Sequence, residues 1–224
     1  MPKATNEMYE QFKNLRVPTD IKPHQPFDLV TLKRALSEER KKQLPLDRYV
    51  FMSLNCRQFR PNELQVHTAD IGTLIKPDFD FRDLEEMDPW RKTCKLKYNI
   101  QQFQEMKVDV VRCEGFFQKC LVCEALTIFQ EVYGILKDDG QFIVTIPNFF
   151  KIFKELATIN RRDFRAMLKC ENIIFSPSDS TGLYYNRTIW SLDRLETYLE
   201  MAGFKTIKPN LDASEDEISV IAKK

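Results

Sequence analysis

Glycine is scarce in this chain and absent from its first 71 positions. The 224 residues contain six glycines, and the first of them is Gly72. A phosphate-binding loop needs glycines where the backbone turns tightly against its ligand. Neither GxxxxGK[ST] nor GxGxxG occurs anywhere in the sequence. The sequence therefore argues against an ordinary nucleotide-binding loop.

An excess of one charge and long apolar runs are also lacking. Lys and Arg number 34 against 33 Asp and Glu, so the net charge of +1 gives no global field that attracts nucleic acid or anionic lipid. No apolar run approaches the ~20 residues that span a bilayer. The start of the chain, MPKATNEMYEQFKNLR, has no apolar segment of a secretory signal. We therefore expect an intracellular, cytoplasmic protein with no membrane partner, and nucleic acid is not indicated.

The six cysteines favour reduced thiols over a metal site. Cys120 and Cys123 have the CxxC spacing of a zinc site, with Cys113 upstream. However, the only histidines are His24 and His67, and no second CxxC supplies further ligands. Disulfides are disfavoured without a secretory signal. We expect no metal, and we expect the cysteines to be buried and reduced.

The most informative stretch, 109–148, predicts a strand, an amphipathic helix and a second strand. Apolar residues between Leu121 and Leu136 recur with helical period on one face. Gly140 then closes a turn before an apolar strand that ends at Pro147. Such a strand–helix–strand unit is parallel, and sheets built from these units bind ligands at the carboxyl ends of their strands.

The flanking sequence continues this alternation. A helix is predicted from the N-cap Ser191 to the stop at Gly203. Strands are predicted at 48–56, 64–71, 205–211 and 217–224, with a short strand within 78–87. Residues 1–48 form a polar, proline-punctuated arm with a helix candidate at 31–43, and we place one α/β domain at 49–224.

The order of these phrases resembles the class I S-adenosylmethionine-dependent methyltransferases. In that family the helix closes on a phrase like evyRvLKPGG and the next strand ends in vPN; here EVYGILKDDG precedes QFIVTIPN. The last predicted helix, WSLDRLETYLEMAGF, ends on the family's aGF. The resemblance covers 49–224. It implies a Rossmann-like fold, with a mostly parallel seven-stranded sheet, an antiparallel C-terminal strand and helices on both faces.

The resemblance also implies where the methyl donor, S-adenosylmethionine, would bind. The family's glycine-rich loop after the first strand corresponds to SLNCRQFRPN. Leu54 and Cys56 match that loop, but Asn55 and Arg57 replace its glycines. Asparagine tolerates a left-handed backbone better than most residues, so Asn55 is a partial substitute. Arg57 is not, and its long side chain could fill the pocket.

Further positions follow from the same resemblance. Asp70, at the end of the second strand, would accept hydrogen bonds from the ribose hydroxyls of the methyl donor. Asp83 and the amide of Leu84 would face the adenine ring, and Glu114 would line the crevice. Asp70 is equally well explained as a turn residue ahead of Gly72, and Asp83 as one carboxylate of an acidic loop. No catalytic residue is identifiable.

Two functions from different classes are consistent with these residues. One is a methyltransferase with a divergent methyl-donor site and an unknown acceptor, which Asp70 supports. The other is an inactive methyltransferase-like scaffold or partner-binding subunit, with the arm 1–48 docking into a larger assembly. The missing glycines and Arg57 support the second.

A short basic cluster lies between the stretch 109–148 and the helix predicted from Ser191. Arg161, Arg162, Arg165 and Lys169 flank Phe164 and could contact phosphate. At helical spacing such residues more often form a solvated helix face. We therefore assign no ligand to this cluster.

Overall fold

Seven strands form one sheet in the part of the chain that the structure describes. The structure is a computed structural model that describes residues 30, 33–34, 36–46, 49–56, 58–67, 77–80, 103–160, 163–175, 186 and 188–224. The strands are β1 (Phe51–Leu54), β2 (Leu64–His67), β3 (Phe79–Asp80), β4 (Val108–Glu114), β5 (Leu136–Pro147), β6 (Thr206–Pro209) and β7 (Glu217–Lys223). Their order is β3-β2-β1-β4-β5-β7-β6; β1 to β5 pair in parallel, and β7 is antiparallel to both of its neighbours. The predicted class, a mixed α/β sheet of Rossmann-like type, is confirmed.

The helices begin and end where local caps place them. They are α1 (Glu38–Gln43), α2 (Val122–Ile135), α3 (Phe149–Thr158), α4 (Phe164–Phe175) and α5 (Leu192–Ala202). The predicted caps of α5 are present, since the Ser191 side chain accepts a hydrogen bond from Arg194 N and Gly203 is left-handed with φ 110°. None of the helices in the described ranges is long and apolar enough to cross a membrane.

The arm is continuous with the core where it is described. The helix predicted at 31–43 does not run through in one piece, because Ser37 is extended and caps a new helix, α1. Leu36, Leu44 and Leu46 are each 6% exposed and belong to the same hydrophobic cluster as the sheet. The last part of the predicted arm therefore packs on the domain.

Aromatic side chains join α2 and α5 to one face of the sheet. Phe129 of α2 lies 5.8 Å from Phe142 of β5 and 6.1 Å from Trp190, measured between ring centroids. Phe142 also stacks on Phe204, which follows α5. Full burial of one such side chain contributes about 1.5–3 kcal/mol. These contacts place α2 and α5 on the face of the sheet that carries Phe142 of β5. Residues that alternate with Phe142 along the strand, such as Thr145, point to the second face.

Candidate functional site

The connection between β1 and β2 is short for a link between parallel neighbours. The two strands are parallel and adjacent, with Met52 opposite Leu64, yet only the nine residues 55–63 separate them. A parallel crossover usually needs a dozen or more residues and contains a helix. The described residues of this link, all except Arg57, contain turns and bends but no helix. The helix N-terminus that commonly follows the first strand and faces a ligand is therefore missing here.

Asn55 makes the left-handed turn that its residue type predicts. Its φ is 52°, it is 1% exposed, and its N–H donates to Val66 O at 2.9 Å. Cys56 follows directly and is fully buried, with Sγ 3.4 Å from Arg112 O. The turn thus brings the predicted positions 55 and 56 to the carboxyl end of β4, where Glu114 lies. It directs the chain into a loop and not into a helix.

The second face of the sheet carries a polar stripe at its carboxyl half. Strand register places Ser53 of β1 beside Arg112 of β4, and Glu114 beside Thr145 of β5. Thr145 pairs in turn with Ser219 of β7, and their hydroxyl oxygens are 2.8 Å apart. Polar residues from four strands therefore lie on one face of the sheet, near the carboxyl ends of β1, β4 and β5, the edge at which α/β sheets bind ligands.

Side chains of the β1–β2 link close over this stripe in an ion network. Arg60 Nη2 donates to both carboxylate oxygens of Glu114, at 2.8 and 3.1 Å. Arg112 Nε donates to Glu63 at 3.2 Å, and Arg112 Nη1 lies 3.5 Å from Glu114. The other Glu63 oxygen accepts a hydrogen bond from Ser53 Oγ. Two guanidinium groups thus neutralise two carboxylates.

Burial and charge shift the ionisation of this site. Burial, reinforced by the negative charges of Glu114 and Glu63, raises the pKa of the Cys56 thiol to about 12. Burial opposes the charge on Arg60, but its hydrogen bond to Glu114 and both nearby carboxylates raise its pKa overall. Cys56 is therefore a neutral thiol and Arg60 a fixed cation, so neither is a nucleophile or a base near neutral pH.

The structure brings together three of the six predicted site residues. Asn55, Cys56 and Glu114 lie at the carboxyl ends of β1 and β4. Their role towards a methyl donor stays a prediction. Asp70, Asp83 and Leu84 lie outside the described residues, as does Arg57.

Sequence reasoning missed the residues that dominate the site, Arg60, Glu63 and Arg112. One signal was available for Arg112, because it stands between the buried apolar residues Val111 and Cys113 of β4. Such alternation places a charge on the opposite face of the sheet.

The anchor of the link on its other side was also missed. Arg40 of α1 binds both oxygens of Asp78 at 2.7 Å and donates to Glu63 O and Pro61 O, each at 2.8 Å. Arg40 and Asp78 are 13% and 7% exposed. The link is therefore held by Arg40 from the arm and by Glu114 from β4 through Arg60.

Comparison with known proteins finds likeness in structure and not in sequence. No family model matches the chain, and no curated protein matches it. A methyltransferase from Archaeoglobus fulgidus is 12% identical, covering 79% of this chain and 86% of its own, with a TM-score of 0.42. Human N-acetylserotonin methyltransferase, in complex with S-adenosylmethionine, is 11% identical over 88% of this chain and 54% of its own, at 0.42. The methyltransferase SibL is 16% identical over 52% of this chain, at 0.37, and only 31% of its length is matched.

The fold is a mixed α/β sheet of Rossmann-like type. All three TM-scores lie below 0.5, so these likenesses carry no argument about the chemistry, which must be argued from the residues. The described residues at the carboxyl ends of β1 and β4 do not fit the methyl donor. They lack a helix N-terminus after β1, and Glu114, the carboxylate predicted to line the crevice, is neutralised by Arg60 and Arg112.

Proposed function

We propose that this chain is a methyltransferase-like scaffold that does not use S-adenosylmethionine and serves as the partner-binding subunit of a larger assembly. The observation that carries the proposal is the nine-residue, helix-free β1–β2 link, closed over the crevice by the Arg60–Glu114 pair. In a methyltransferase this region supplies the backbone amides and the open space that hold the methyl donor. Here the same space contains protein charges that already satisfy one another.

The cost of opening the crevice supports this reading. A methyl donor placed beside Glu114 would have to displace Arg60, whose Nη2 donates to both oxygens of that carboxylate. Charge-assisted hydrogen bonds are among the stronger side-chain interactions. The ligand would also have to overcome the anchoring of the link by Arg40. The link is therefore held on both sides, by Arg40 and by the Arg60–Glu114 pair.

One observation favours the second candidate function, a working methyltransferase with a divergent site. Asn55 has φ 52° at the end of β1, which is the left-handed conformation that the glycine of a methyl-donor loop adopts. A chain that had lost all use of this turn would have no need of a residue suited to it. We place this candidate second because the turn leads into a buried Cys56 and a loop.

Calorimetric titration with S-adenosylmethionine and S-adenosylhomocysteine separates the two candidates. For the scaffold, we expect no binding to the wild type, to Arg60→Ala or to Asp70→Ala. Lys208→Ala, a change of an exposed basic residue on β6, is the matched control for handling and folding. Micromolar binding to the wild type that Asp70→Ala weakens by roughly 1–3 kcal/mol would establish the methyltransferase instead.

The Arg60→Ala variant adds a second decision. If Arg60 alone blocks an otherwise complete site, its removal should create binding that the wild type lacks. If the missing helix is what prevents binding, Arg60→Ala should also show no binding, because truncating a side chain does not restore a helical crossover. Binding gained in Arg60→Ala would contradict the proposal that the missing helix excludes the methyl donor. It would show instead that Arg60 alone blocks the site.

A further inference from the structure

The turn between β6 and β7 presents a serine to solvent. Ser214 is exposed in this turn, which covers 210–216 and joins β7 to β6, the last strand of the sheet. Leu211 in the same turn is 93% exposed. Exposed loop tips with small or polar residues are where proteolytic enzymes reach folded chains. The hydroxyl of Ser214 is therefore open to an enzyme in the folded protein.

Three carboxylates follow this serine directly. Residues 215–217 are Glu-Asp-Glu, and no Lys, Arg or His occurs between Lys208 and Lys223. Ser214 Oγ donates to Glu217 Oε2 at 3.0 Å, and Glu217 N donates to Ser214 O at 3.1 Å. The turn therefore holds the hydroxyl beside the carboxylate that lies three positions later.

Lysines from α3 and α4 neutralise two of these carboxylates and leave the third. Lys151 Nζ lies 3.0 Å from Glu215 and 2.9 Å from Asp216. Lys169 Nζ lies 4.0 Å from Asp216. Glu217 is exposed and makes no ion pair in the part of the chain that the structure describes. The carboxylate that keeps its charge available to a partner is thus the one at the third position after the serine.

We propose that Ser214 is a phosphorylation site for an acidophilic serine/threonine kinase. Kinases select substrates by the charge pattern around the acceptor, and carboxylates after the serine suit a kinase whose cleft is basic. Ser214 Oγ forms a bond to the γ-phosphorus of a nucleoside triphosphate. The bond between that phosphorus and its bridging oxygen breaks, and the nucleoside diphosphate leaves. The hydroxyl proton passes to the catalytic carboxylate of the kinase.

Two other hydroxyl residues have related sequence patterns in a different structural setting. Thr197 has Glu200 at the same spacing, and both are exposed. However, Thr197 lies inside α5, and its hydroxyl donates to a carbonyl oxygen one turn earlier at 2.7 Å. Ser37 caps α1, and Arg40 stands at the third position after it. An acceptor in a helix must unwind before it enters a kinase cleft, so the fold favours Ser214.

Phosphate on Ser214 changes the contacts of the turn. A phosphoserine carries a charge of about −1.5 to −2 at pH 7, and beside acidic side chains it disrupts local structure by repulsion. The hydrogen bond from Ser214 to Glu217 is then replaced by a contact between like charges. Asp216 O, in the same turn, accepts from Asn148 N at 2.8 Å, and Asn148 caps α3. We therefore expect phosphorylation to loosen the turn where it holds the start of α3.

Incubation of the full chain with casein kinase II, an acidophilic kinase, and magnesium ATP tests the site. We expect phosphate on Ser214 in peptide mass spectra and none in Ser214→Ala. Glu217→Gln should lower the initial rate about tenfold, since a hydrogen bond to a charged group contributes about that factor. The matched controls Thr197→Ala and Glu200→Gln change the corresponding exposed pair of α5 and should be phosphorylated at the rate of the wild type.

Hydrogen exchange before and after phosphorylation measures the effect on the turn. The amides of Glu217 and Asn148 donate to Ser214 O and Asp216 O. Both should exchange faster in the phosphorylated chain, because local opening exposes them. Unchanged exchange at both amides would show that phosphate does not loosen the turn.

Three results would overturn the assignment of the site. They are no phosphate on Ser214, phosphate on Thr197 or Ser37 in place of Ser214, and equal initial rates for the wild type and Glu217→Gln. Circular dichroism of all variants should be unchanged, because each altered side chain is exposed. None of these results bears on binding of S-adenosylmethionine, so this site and the scaffold proposal fail independently.

Discussion

Replacing Arg40 by Met should destabilise the domain far more than the same change at the neighbouring Lys41. Arg40 makes two 2.7 Å contacts with Asp78 and two 2.8 Å hydrogen bonds to the carbonyl groups of Pro61 and Glu63, and it is 13% exposed. Removing it leaves Asp78, 7% exposed, without its cation. Breaking a buried pair by removing one partner costs about 3–5 kcal/mol. Because Asp78 still accepts from Gln65 N at 2.9 Å, we expect roughly 2–4 kcal/mol here.

Urea unfolding measures this loss as a lower midpoint at an unchanged slope. The control, Lys41→Met, removes a basic residue of the same helix that pairs with the exposed carboxylate of Glu38. An exposed pair at this spacing contributes below about 0.5 kcal/mol. The cycle through Asp78→Asn and the double variant should show a coupling of about 1–3 kcal/mol. A loss in Arg40→Met no larger than in Lys41→Met, or a coupling near zero, would show that Arg40 does not anchor the link.

Two further predictions concern buried ionisable groups. Glu131 of α2 is 7% exposed and its Oε2 has no hydrogen-bond partner among the described residues; burial raises its pKa from 4.5 to about 8. The folded state then holds a proton that the unfolded state releases, so stability falls as pH rises from about 4.5 through 8. Glu131→Gln should flatten this dependence and stabilise at pH 9 by roughly 2–4 kcal/mol in urea unfolding, and parallel pH curves for both proteins would contradict it. Burial raises the pKa values of Cys56 and Cys113, so both should resist iodoacetamide in the native protein while half-buried Cys123 reacts. Peptide mass spectra measure the labelling, and early labelling of Cys56 would show an open site.

The elements that sequence predicted well are those fixed by neighbours along the chain. The helix predicted over 121–136 is α2, and the Ser191 and Gly203 caps bound α5. Periodicity and capping depend on residues three or four positions apart, which a single sequence displays directly. The two-stranded C-terminal ending was predictable for the same reason.

Predictions failed or stopped where a distant contact decided the outcome. The packing of α3 on α4 could not be predicted, because it depends on contacts between two separate helices. The link after β1 was expected to be a degenerate methyl-donor loop. Asn55 there is left-handed, with φ 52°, but the role of the loop stays a prediction. The roles of Asp70, Asp83 and Leu84, the boundary at residue 48 and the arm's partner remain predictions.

The sequence by itself determined the alternation of strands and helices, the absence of a glycine-rich loop and the left-handed turn at Asn55, because each is written in adjacent residues. Only the tertiary structure shows that the β1–β2 link connects two parallel strands without a helix and that Arg60 pairs with Glu114. Arg60 and Glu114 are 54 positions apart, and Arg40 and Asp78 are 38 apart. Those charges meet only because β1, β2 and β4 are neighbours in the sheet, and parallel pairing is a long-range interaction that local propensities do not specify.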